Sequence, residues 1–359
     1  MILTLSLLGC GGETANPDAS IPDAGRDEDA GRVADGGLAD AAPITDAAPP
    51  PDASEPLYEV ESFQQEVWTW DQTVGDCSYS NMGNFFWDWF LHGREPVDPG
   101  RYPVFIHLHG TGDQPDTPVG LGLVQSMARR GFVAASVGYD TLSGLGATLD
   151  DPDQACPVAE NKADCIFGSG EGSAVTLLCA REKADCSRGI VVSGHSQGAV
   201  LAILGRDVDD RVRAVYAMGA GLHGEITIDL GGPVTIASDV TACASPEARA
   251  LPADRLRVVN GESEHLFGDA LQADVRALTD MDCPAGTLEC LRAGGSGWTF
   301  FPDAANEDGR GTSEHCYMSN SASGDCGAPS TGLNSIWTEG TASYSREPNL
   351  SWLRSLTDP

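Results

Sequence analysis

The sequence is poor in positive charge: its 359 residues hold 21 lysines and arginines against 53 aspartates and glutamates, which gives a net charge of −32. Only two of the cations are lysines, Lys162 and Lys183. Nucleic acids and anionic membrane surfaces select basic patches, so this balance argues against both as partners.

The sequence also lacks the patterns that mark a transmembrane helix, a structural zinc site and a phosphate-binding loop. No apolar run reaches the roughly 18 residues that a membrane-spanning helix needs. No Cys-x-x-Cys pair occurs, which argues against a structural zinc site. The glycine-rich stretches contain no Gly-x-x-x-x-Gly-Lys-Ser/Thr, so no phosphate-binding loop is predicted. We therefore expect no transmembrane helix, no metal and no organic cofactor.

The N-terminus has a pattern of its own. Residues 1–10 are mostly apolar, and Leu7-Leu8-Gly9-Cys10 resembles a bacterial lipobox, in which the signal peptide is cut before a cysteine that is then lipidated. This predicts an exported protein attached to a membrane only through a lipid on Cys10. The residue after Cys10 is Gly11, where inner-membrane lipoproteins carry Asp, and this pattern resembles lipoproteins of the outer membrane or cell surface. The sequence does not decide which leaflet holds the anchor.

Residues 11–56 form an acidic segment of low complexity. It holds eleven Ala, eight Asp, seven Pro and six Gly, no aromatic residue, and eleven acids against two arginines. Such a composition cannot bury enough apolar surface to offset the entropy of ordering, and its like charges keep it extended. We predict a disordered tether between the lipid anchor and a folded domain at 57–359.

The remainder of the chain alternates short apolar runs with helical or glycine-rich connections. Continuous apolar strands separated by helices indicate a mostly parallel sheet with helices on both faces, hence an α/β domain. The segment from Leu57 to Trp70 suits one or two edge strands. The predicted inner strands are 104–108, 132–137, 190–193, 212–217, 256–260 and 297–301, and the predicted helices include 120–130 and 199–204.

Ten cysteines remain once Cys10 is set aside. An even number in an exported chain favours disulfides and an oxidising compartment. Proximity in the sequence favours four local pairs and leaves Cys77 and Cys243 over; the pairs are Cys156/Cys165, Cys179/Cys186, Cys283/Cys290 and Cys316/Cys326.

The strongest chemical signal is Gly194-His195-Ser196-Gln197-Gly198, between an apolar strand and a helix. Small residues two before and two after the serine let the backbone turn sharply, and the turn presents the hydroxyl at a helix N-terminus. The strand–turn–helix context makes this pattern specific, and it predicts Ser196 as a nucleophile.

A second motif, His107-Leu108-His109-Gly110-Thr111-Gly112-Asp113, follows an early strand. A nucleophilic serine needs hydrogen-bond donors for the oxyanion of its tetrahedral intermediate. We assign these donors to the backbone N–H groups of Thr111 and Gln197. A metal site at His107 and His109 is the rival interpretation, which lacks further ligands at matching strand ends.

With these motifs the chain resembles the α/β-hydrolase superfamily of serine esterases and lipases, over about residues 100–320. Within it, the similarity is greatest to secreted bacterial carboxylesterases and polyester-hydrolase-like proteins. The resemblance implies an acid after the seventh strand and a histidine in the loop after the eighth. Glu264 lies where that acid is expected, with Glu in place of the usual Asp; the competitors are Glu262, Asp269 and Asp239.

For the base, the resemblance leaves the two histidines beyond the acid, His265 and His315. His265 adjoins the acid and cannot easily fold back onto Ser196, so His315 is preferred. The predicted function is an exported, lipid-anchored serine ester hydrolase, which we expect to be monomeric and to act on a small or polymeric ester. The alternatives are a non-catalytic surface-binding protein on the same scaffold and a serine peptidase.

Overall fold

The computed structural model describes residues 57–67, 90–111, 113–139, 155–229, 233–306, 311–319 and 332–357. The predicted signal peptide, Cys10 and the tether at 11–56 lie outside the described residues. Within the described ranges, no helix has both the length and the apolar character that a membrane span requires.

Strands and helices alternate along the described chain. The strands are β1 (Val60–Glu66), β2 (Phe90–Pro96), β3 (Val104–Leu108), β4 (Val133–Val137), β5 (Ile190–His195), β6 (Val212–Met218), β7 (His223–Asp229), β8 (Pro233–Asp239), β9 (Leu256–Gly261), β10 (Glu289–Leu291) and β11 (Gly297–Phe301). The helices are α1 (Pro118–Arg129), α2 (Ala155–Phe167), α3 (Ala174–Cys179), α4 (Gln197–Val208), α5 (Thr241–Ala244), α6 (Leu271–Thr279), α7 (Ser335–Glu339) and α8 (Arg346–Arg354).

Nine of these strands form one sheet in the order β1-β2-β4-β3-β5-β6-β9-β11-β10. Its inner strands, from β4 to β11 in that order, pair in parallel. Strands β1 and β2 at one edge and β10 at the other pair antiparallel. Strands β7 and β8 form a separate antiparallel hairpin between β6 and β9 in the chain.

The inner strands are buried on both faces. In β3 every residue is buried, and its side chains alternate between two apolar clusters. Ile106 packs in the cluster that contains residues of α2 and α4, while Phe105 packs in the cluster that contains residues of α1 and α8. Helices therefore cover both faces, and the predicted α/β class with a mostly parallel sheet is confirmed.

The six predicted inner strands are the six that pair in parallel, with ends that differ by at most two residues. The predicted helices are part of α1 and α4. Strand β2 and the β7–β8 hairpin were not predicted. The sequence of β2, Phe-Leu-His-Gly-Arg-Glu-Pro, has weak strand propensity, and its strand conformation depends on pairing with β1 and β4.

Three disulfides join described cysteines: Cys156–Cys243, Cys179–Cys186 and Cys283–Cys290. The last two were predicted. The predicted Cys156/Cys165 pair is wrong, and so is the assignment of Cys243 as a leftover beside Cys77, because α2 packs against α5 and brings Cys156 within bonding distance of Cys243. Cys165 and Cys316 are also disulfide-bonded. Cys77 and Cys326 lie outside the described residues, so the Cys316/Cys326 prediction stays a prediction.

The long-range disulfide should matter most for stability. Cys156 and Cys243 are 87 residues apart, whereas Cys179 and Cys186 are 7 apart. In the chain-entropy model the longer loop is worth about 4–5 kcal/mol and the shorter about 2 kcal/mol. We expect the double variant Cys156→Ser/Cys243→Ser to lose about twice as much unfolding free energy in urea as Cys179→Ser/Cys186→Ser. Equal losses would contradict this.

Candidate active site

The turn 194–198 joins β5 to α4 and carries Ser196 in an unusual backbone conformation. Ser196 has φ 55° and ψ −122°. A non-glycine residue with positive φ costs of order 1–3 kcal/mol and persists only where its surroundings impose it. Here the N–H of Ser196 donates to the carbonyl of Met218 at 2.9 Å, and its carbonyl accepts from the N–H of Ala199 at 2.9 Å. The strain points to a functional constraint on Ser196.

The two glycines of this turn are needed because backbone passes close to both. A Cβ on Gly194 would lie 2.1 Å from the carbonyl oxygen of Gly198, and a Cβ on Gly198 would lie 2.3 Å from that of Leu108. The second contact also brings the end of β3 against the start of α4. The sequence pattern is therefore a packing requirement that places the β3 loop beside Ser196.

The β3 loop supplies the neighbours of the serine. A Cβ on Gly110 would lie 3.2 Å from the Cβ of Ser196. Thr111 accepts a hydrogen bond at Oγ1 from Nε2 of Gln197, at 3.1 Å. Gln197 is the first residue of α4, where backbone N–H groups have no intrahelical acceptor and the helix dipole favours negative charge. The structure thus brings Thr111 and Gln197 together beside Ser196.

The predicted acid and base are in direct contact. Nδ1 of His315 donates to Oε2 of Glu264 at 2.7 Å, although the two residues are 51 positions apart. Both are buried, and Oε1 of Glu264 accepts from the N–H of Leu266 at 3.0 Å. The carboxylate therefore fixes the imidazole in the form with hydrogen on Nδ1, which leaves Nε2 with a lone pair for a proton.

The Glu264 carboxyl is held in its charged form. Burial alone raises the pKa of this group, but the charge of His315, the hydrogen bond from His315 and the hydrogen bond from Leu266 lower it by more. The net pKa lies below the ordinary value for glutamate. Glu264 thus stays ionised at neutral pH, with its negative charge against the ring of His315.

His315 lies next to the serine turn. A Cβ on Gly219, which has φ 57°, would lie 2.7 Å from Cε1 of His315, and Gly219 directly follows Met218, the residue that accepts from the Ser196 N–H. Nε2 of His315 is buried and has no hydrogen-bond partner among the described residues. His315 therefore lies beside the serine turn, and its Nε2 makes no direct hydrogen bond to Ser196.

His195, the residue before Ser196 in the turn, holds the loop of His315. Its Nε2 donates to the carbonyl of His315 at 3.1 Å, and the two ring centroids are 4.7 Å apart. Burial lowers the pKa of His195 well below its ordinary value, and the adjacent His315 charge lowers it further. His195 is neutral at physiological pH and acts as a fixed donor to the backbone.

Asp303 connects the loops of the acid and the base. Its Oδ1 accepts from the N–H of Ser313 at 2.6 Å, and its Oδ2 accepts from the hydroxyl of Ser263 at 2.8 Å. The N–H of Ser263 also donates to the carbonyl of Ser313 at 2.9 Å. These bonds fix the segment before Glu264 against the segment before His315, at the carboxyl ends of β9 and β11.

His107 at the end of β3 and His109 in the loop after it are buried and neutral. Nδ1 of His107 is 2.9 Å from Oγ of Ser193, and Nδ1 of His109 donates to the carbonyl of Gly110 at 3.1 Å. Burial lowers the pKa of His107 to about 3, with a contribution from His109. Burial also lowers the pKa of His109 to about 4, despite its bond to Gly110 and with a further lowering by Lys162. Within the described residues, no group of three His, Cys, Asp or Glu is arranged to hold a metal ion.

The competing candidates lie elsewhere. Glu262, His265 and Asp269 are exposed, and Glu262 accepts from the N–H of Asp303 at 2.8 Å. Asp239 accepts from the N–H of Thr241 at 2.8 Å. Of the four acids weighed from the sequence, Glu264 is the one that contacts His315 within the described part of the chain.

Two contributors to the site could not be found from the sequence: His195 and Asp303. Asp303 lies two residues after β11, which is a weak signal, and His195 stands inside the serine motif.

The comparisons with known proteins do not place the chain in a family: no family model and no curated protein sequence matches it. The chemistry of the site therefore has to be judged from its geometry. A strained serine at a helix N-terminus, beside a buried carboxylate–imidazole pair and a glycine-rich loop, is suited to nucleophilic attack on a carbonyl carbon.

Proposed function

We propose that this protein is a serine ester hydrolase with the α/β-hydrolase fold, exported and anchored to the outer membrane or cell surface by a lipid on Cys10. The observation that carries the proposal is the buried 2.7 Å contact between His315 and Glu264, beside a serine with φ 55°. The strand order supports it, since the three groups follow β5, β9 and β11 at one edge of a mostly parallel sheet. The disulfides support an exported protein.

In this mechanism Oγ of Ser196 attacks the ester carbonyl carbon while its proton passes to Nε2 of His315. The carbonyl oxygen becomes an oxyanion that accepts from the N–H groups of Gln197 and Thr111. Collapse of the intermediate breaks the ester bond, and the leaving alcohol takes the proton from His315. Water then attacks the acyl-enzyme by the same route and releases the acid and free Ser196.

Glu264 orients His315 and balances the charge that develops on its ring. The lowered pKa of Glu264 keeps this negative charge in place throughout the neutral range. These steps use only groups of the chain and water, and they require no metal or organic cofactor.

The test is covalent labelling followed by a substrate screen. The full-length chain is treated with a fluorophosphonate probe, and the labelled peptide is identified by mass spectrometry. We expect the label on Ser196 and hydrolysis of p-nitrophenyl esters, with acyl chains of increasing length defining the specificity. Absence of both labelling and turnover would favour a non-catalytic surface-binding protein, while labelling with cleavage of peptides instead of esters would favour a peptidase.

Glu264→Gln should slow turnover strongly and change how stability depends on pH. Loss of the orienting carboxylate costs on the order of 10⁴-fold in kcat. Because folding lowers the pKa of Glu264, its carboxylate contributes stability that is present above the ordinary pKa of 4.5 and is lost as the pH falls through the folded value. The Tm of the wild type should therefore fall relative to that of Glu264→Gln as the pH drops below about 4.5.

Glu262→Gln is the matched control for this prediction, since Glu262 is exposed and lies two residues away. We expect its kcat to stay near the wild-type value. If Glu262→Gln were as slow as Glu264→Gln, the assignment of Glu264 as the acid would be wrong. If the Tm of the wild type and that of Glu264→Gln fell in parallel across the acid range, the role of the Glu264 charge in stability would be contradicted.

A further inference from the structure

Lys162 is a buried cation close to the proposed oxyanion donors. It lies in α2, outside the serine turn and outside the acid–base pair, and is only 2% exposed. Its Nζ donates to Oε1 of Gln197 at 3.0 Å. The side chain of Gln197 is itself buried, at 4% exposure, and its Nε2 donates to Oγ1 of Thr111 at 3.1 Å. A continuous chain of hydrogen bonds thus runs from α2 to the β3 loop.

The chemistry of lysine fixes the direction of this chain. An ammonium group has three donors and no acceptor, so Gln197 must face Lys162 with its carbonyl oxygen. The amide nitrogen of Gln197 must then face Thr111, whose hydroxyl accepts. Without Lys162 the amide has no cation to set its orientation, and rotation by half a turn would place its oxygen against the Thr111 hydroxyl.

The helix that carries Lys162 is firmly attached. Cys156 at its start is bonded to Cys243, and Cys165, three residues after Lys162, is also disulfide-bonded. Helix α2 packs directly against α4, the helix that begins at Gln197. A cation on such a helix can hold a neighbouring side chain in one place, since the lysine backbone itself is fixed.

We propose that Lys162 is a positioning residue for the oxyanion hole: through the Gln197 amide it holds Thr111 and the β3 loop against the serine turn. The inference rests on the proposed function, because it concerns the donors of that reaction. Its consequence is that Lys162 contributes to stabilisation of the transition state and little to binding of the ground state, although it is not placed to touch the substrate.

The test compares the only two lysines of the chain. Lys162→Met keeps the apolar stem and removes the ammonium group. Lys183→Met is the matched control, since Nζ of Lys183 pairs with Glu61 at 2.7 Å and with the carbonyls of Pro96 and Val97, at the β1–β2 edge of the sheet. Both full-length variants are assayed with a p-nitrophenyl ester, and the affinity of each for a trifluoromethyl ketone, whose hemiketal oxyanion mimics the intermediate, is measured.

We expect Lys162→Met to lower kcat by about 10- to 100-fold, less than the 10²- to 10³-fold cost of deleting an oxyanion donor outright. KM should stay within about twofold, and the ketone should bind more weakly by about the same factor as kcat falls. Lys162→Arg, which keeps a donor cation, should recover part of the loss. Lys183→Met should match the wild type in all three measurements.

Thr111→Val provides a second, independent readout, because Thr111 is exposed and the change removes the acceptor hydroxyl while keeping the backbone N–H. If Lys162 acts through Thr111, the kcat of the double variant Lys162→Met/Thr111→Val should be no lower than that of the slower single variant. Should Lys162→Met fail to fold, a wild-type kcat for Thr111→Val would overturn the inference.

The inference and the proposed function fail in different ways. Wild-type labelling at Ser196 together with a Lys162→Met variant equal to Lys183→Met in kcat and ketone affinity overturns the inference and leaves the proposed function standing. A rise in KM of Lys162→Met with kcat unchanged also overturns the inference, because it would mean that Lys162 acts on substrate binding. Absence of labelling in the wild type overturns the proposed function, and the inference falls with it.

Discussion

Ser196→Ala should abolish ester hydrolysis and leave the fold in place. Loss of the nucleophile of a catalytic triad costs on the order of 10⁶ in kcat. The change removes one oxygen from a partly exposed side chain whose hydroxyl does not cap α4, so unfolding should be little affected. Alanine still has to adopt the positive φ that Ser196 adopts, which serine and alanine disfavour alike.

The measurement is kcat with a p-nitrophenyl ester, alongside Tm and fluorophosphonate labelling of the same preparation. Material purified in parallel from cells without the protein gives the background. Activity within about 100-fold of the wild type, in a preparation that no longer takes the label, would show that another group carries the reaction.

His315→Ala should be nearly as damaging, while His265→Ala should leave kcat near the wild-type value. His315 is the histidine that contacts Glu264 and lies beside the serine turn, and its loss in a triad costs about as much as loss of the serine. His265 is exposed and adjacent to the acid in sequence. The pair of variants distinguishes the two histidines that the sequence leaves as candidates for the base.

The measurement is kcat of both variants with a p-nitrophenyl ester. If His265→Ala were inactive and His315→Ala active, the base would be His265.

The inner part of the fold was predictable because its signals are local. Strands β3 and β5 begin with apolar runs, and both faces of each are buried in the structure, so strand propensity and burial agree. Strand β2, near the edge of the sheet, was not predictable in the same way, because it contains glycine, arginine and proline and its conformation depends on β1 and β4, which are distant in sequence. The β7–β8 hairpin was missed although its signal is local: Gly231-Gly232 separates the two runs that pair with each other.

Disulfide pairing shows the same division. Two bridges that close seven-residue separations follow from proximity in the sequence. The bridge from Cys156 to Cys243 spans 87 residues and depends on how α2 packs against α5. Sequence proximity favours Cys165 as the partner of Cys156, but both lie in one helix, nine residues apart, where a rise of about 1.5 Å per residue keeps them far beyond bonding distance.

The sequence by itself determined the α/β class and the position of the strained turn at Ser196, since both are written in short contiguous patterns: apolar runs of strand length, and glycines at two fixed positions around a serine. The resemblance to α/β-hydrolases limited the candidate base to two histidines and the candidate acid to four carboxylates, and only the tertiary structure, through exposure and contact, separates these candidates. The contact of Glu264 with His315, the bond from His195 to the base loop, the clamp by Asp303 and the reach of Lys162 to Gln197 were decided by the tertiary structure. Each joins side chains from separate loops or helices, and the distance between such groups is set by the packing of the sheet and its helices, which no local pattern records.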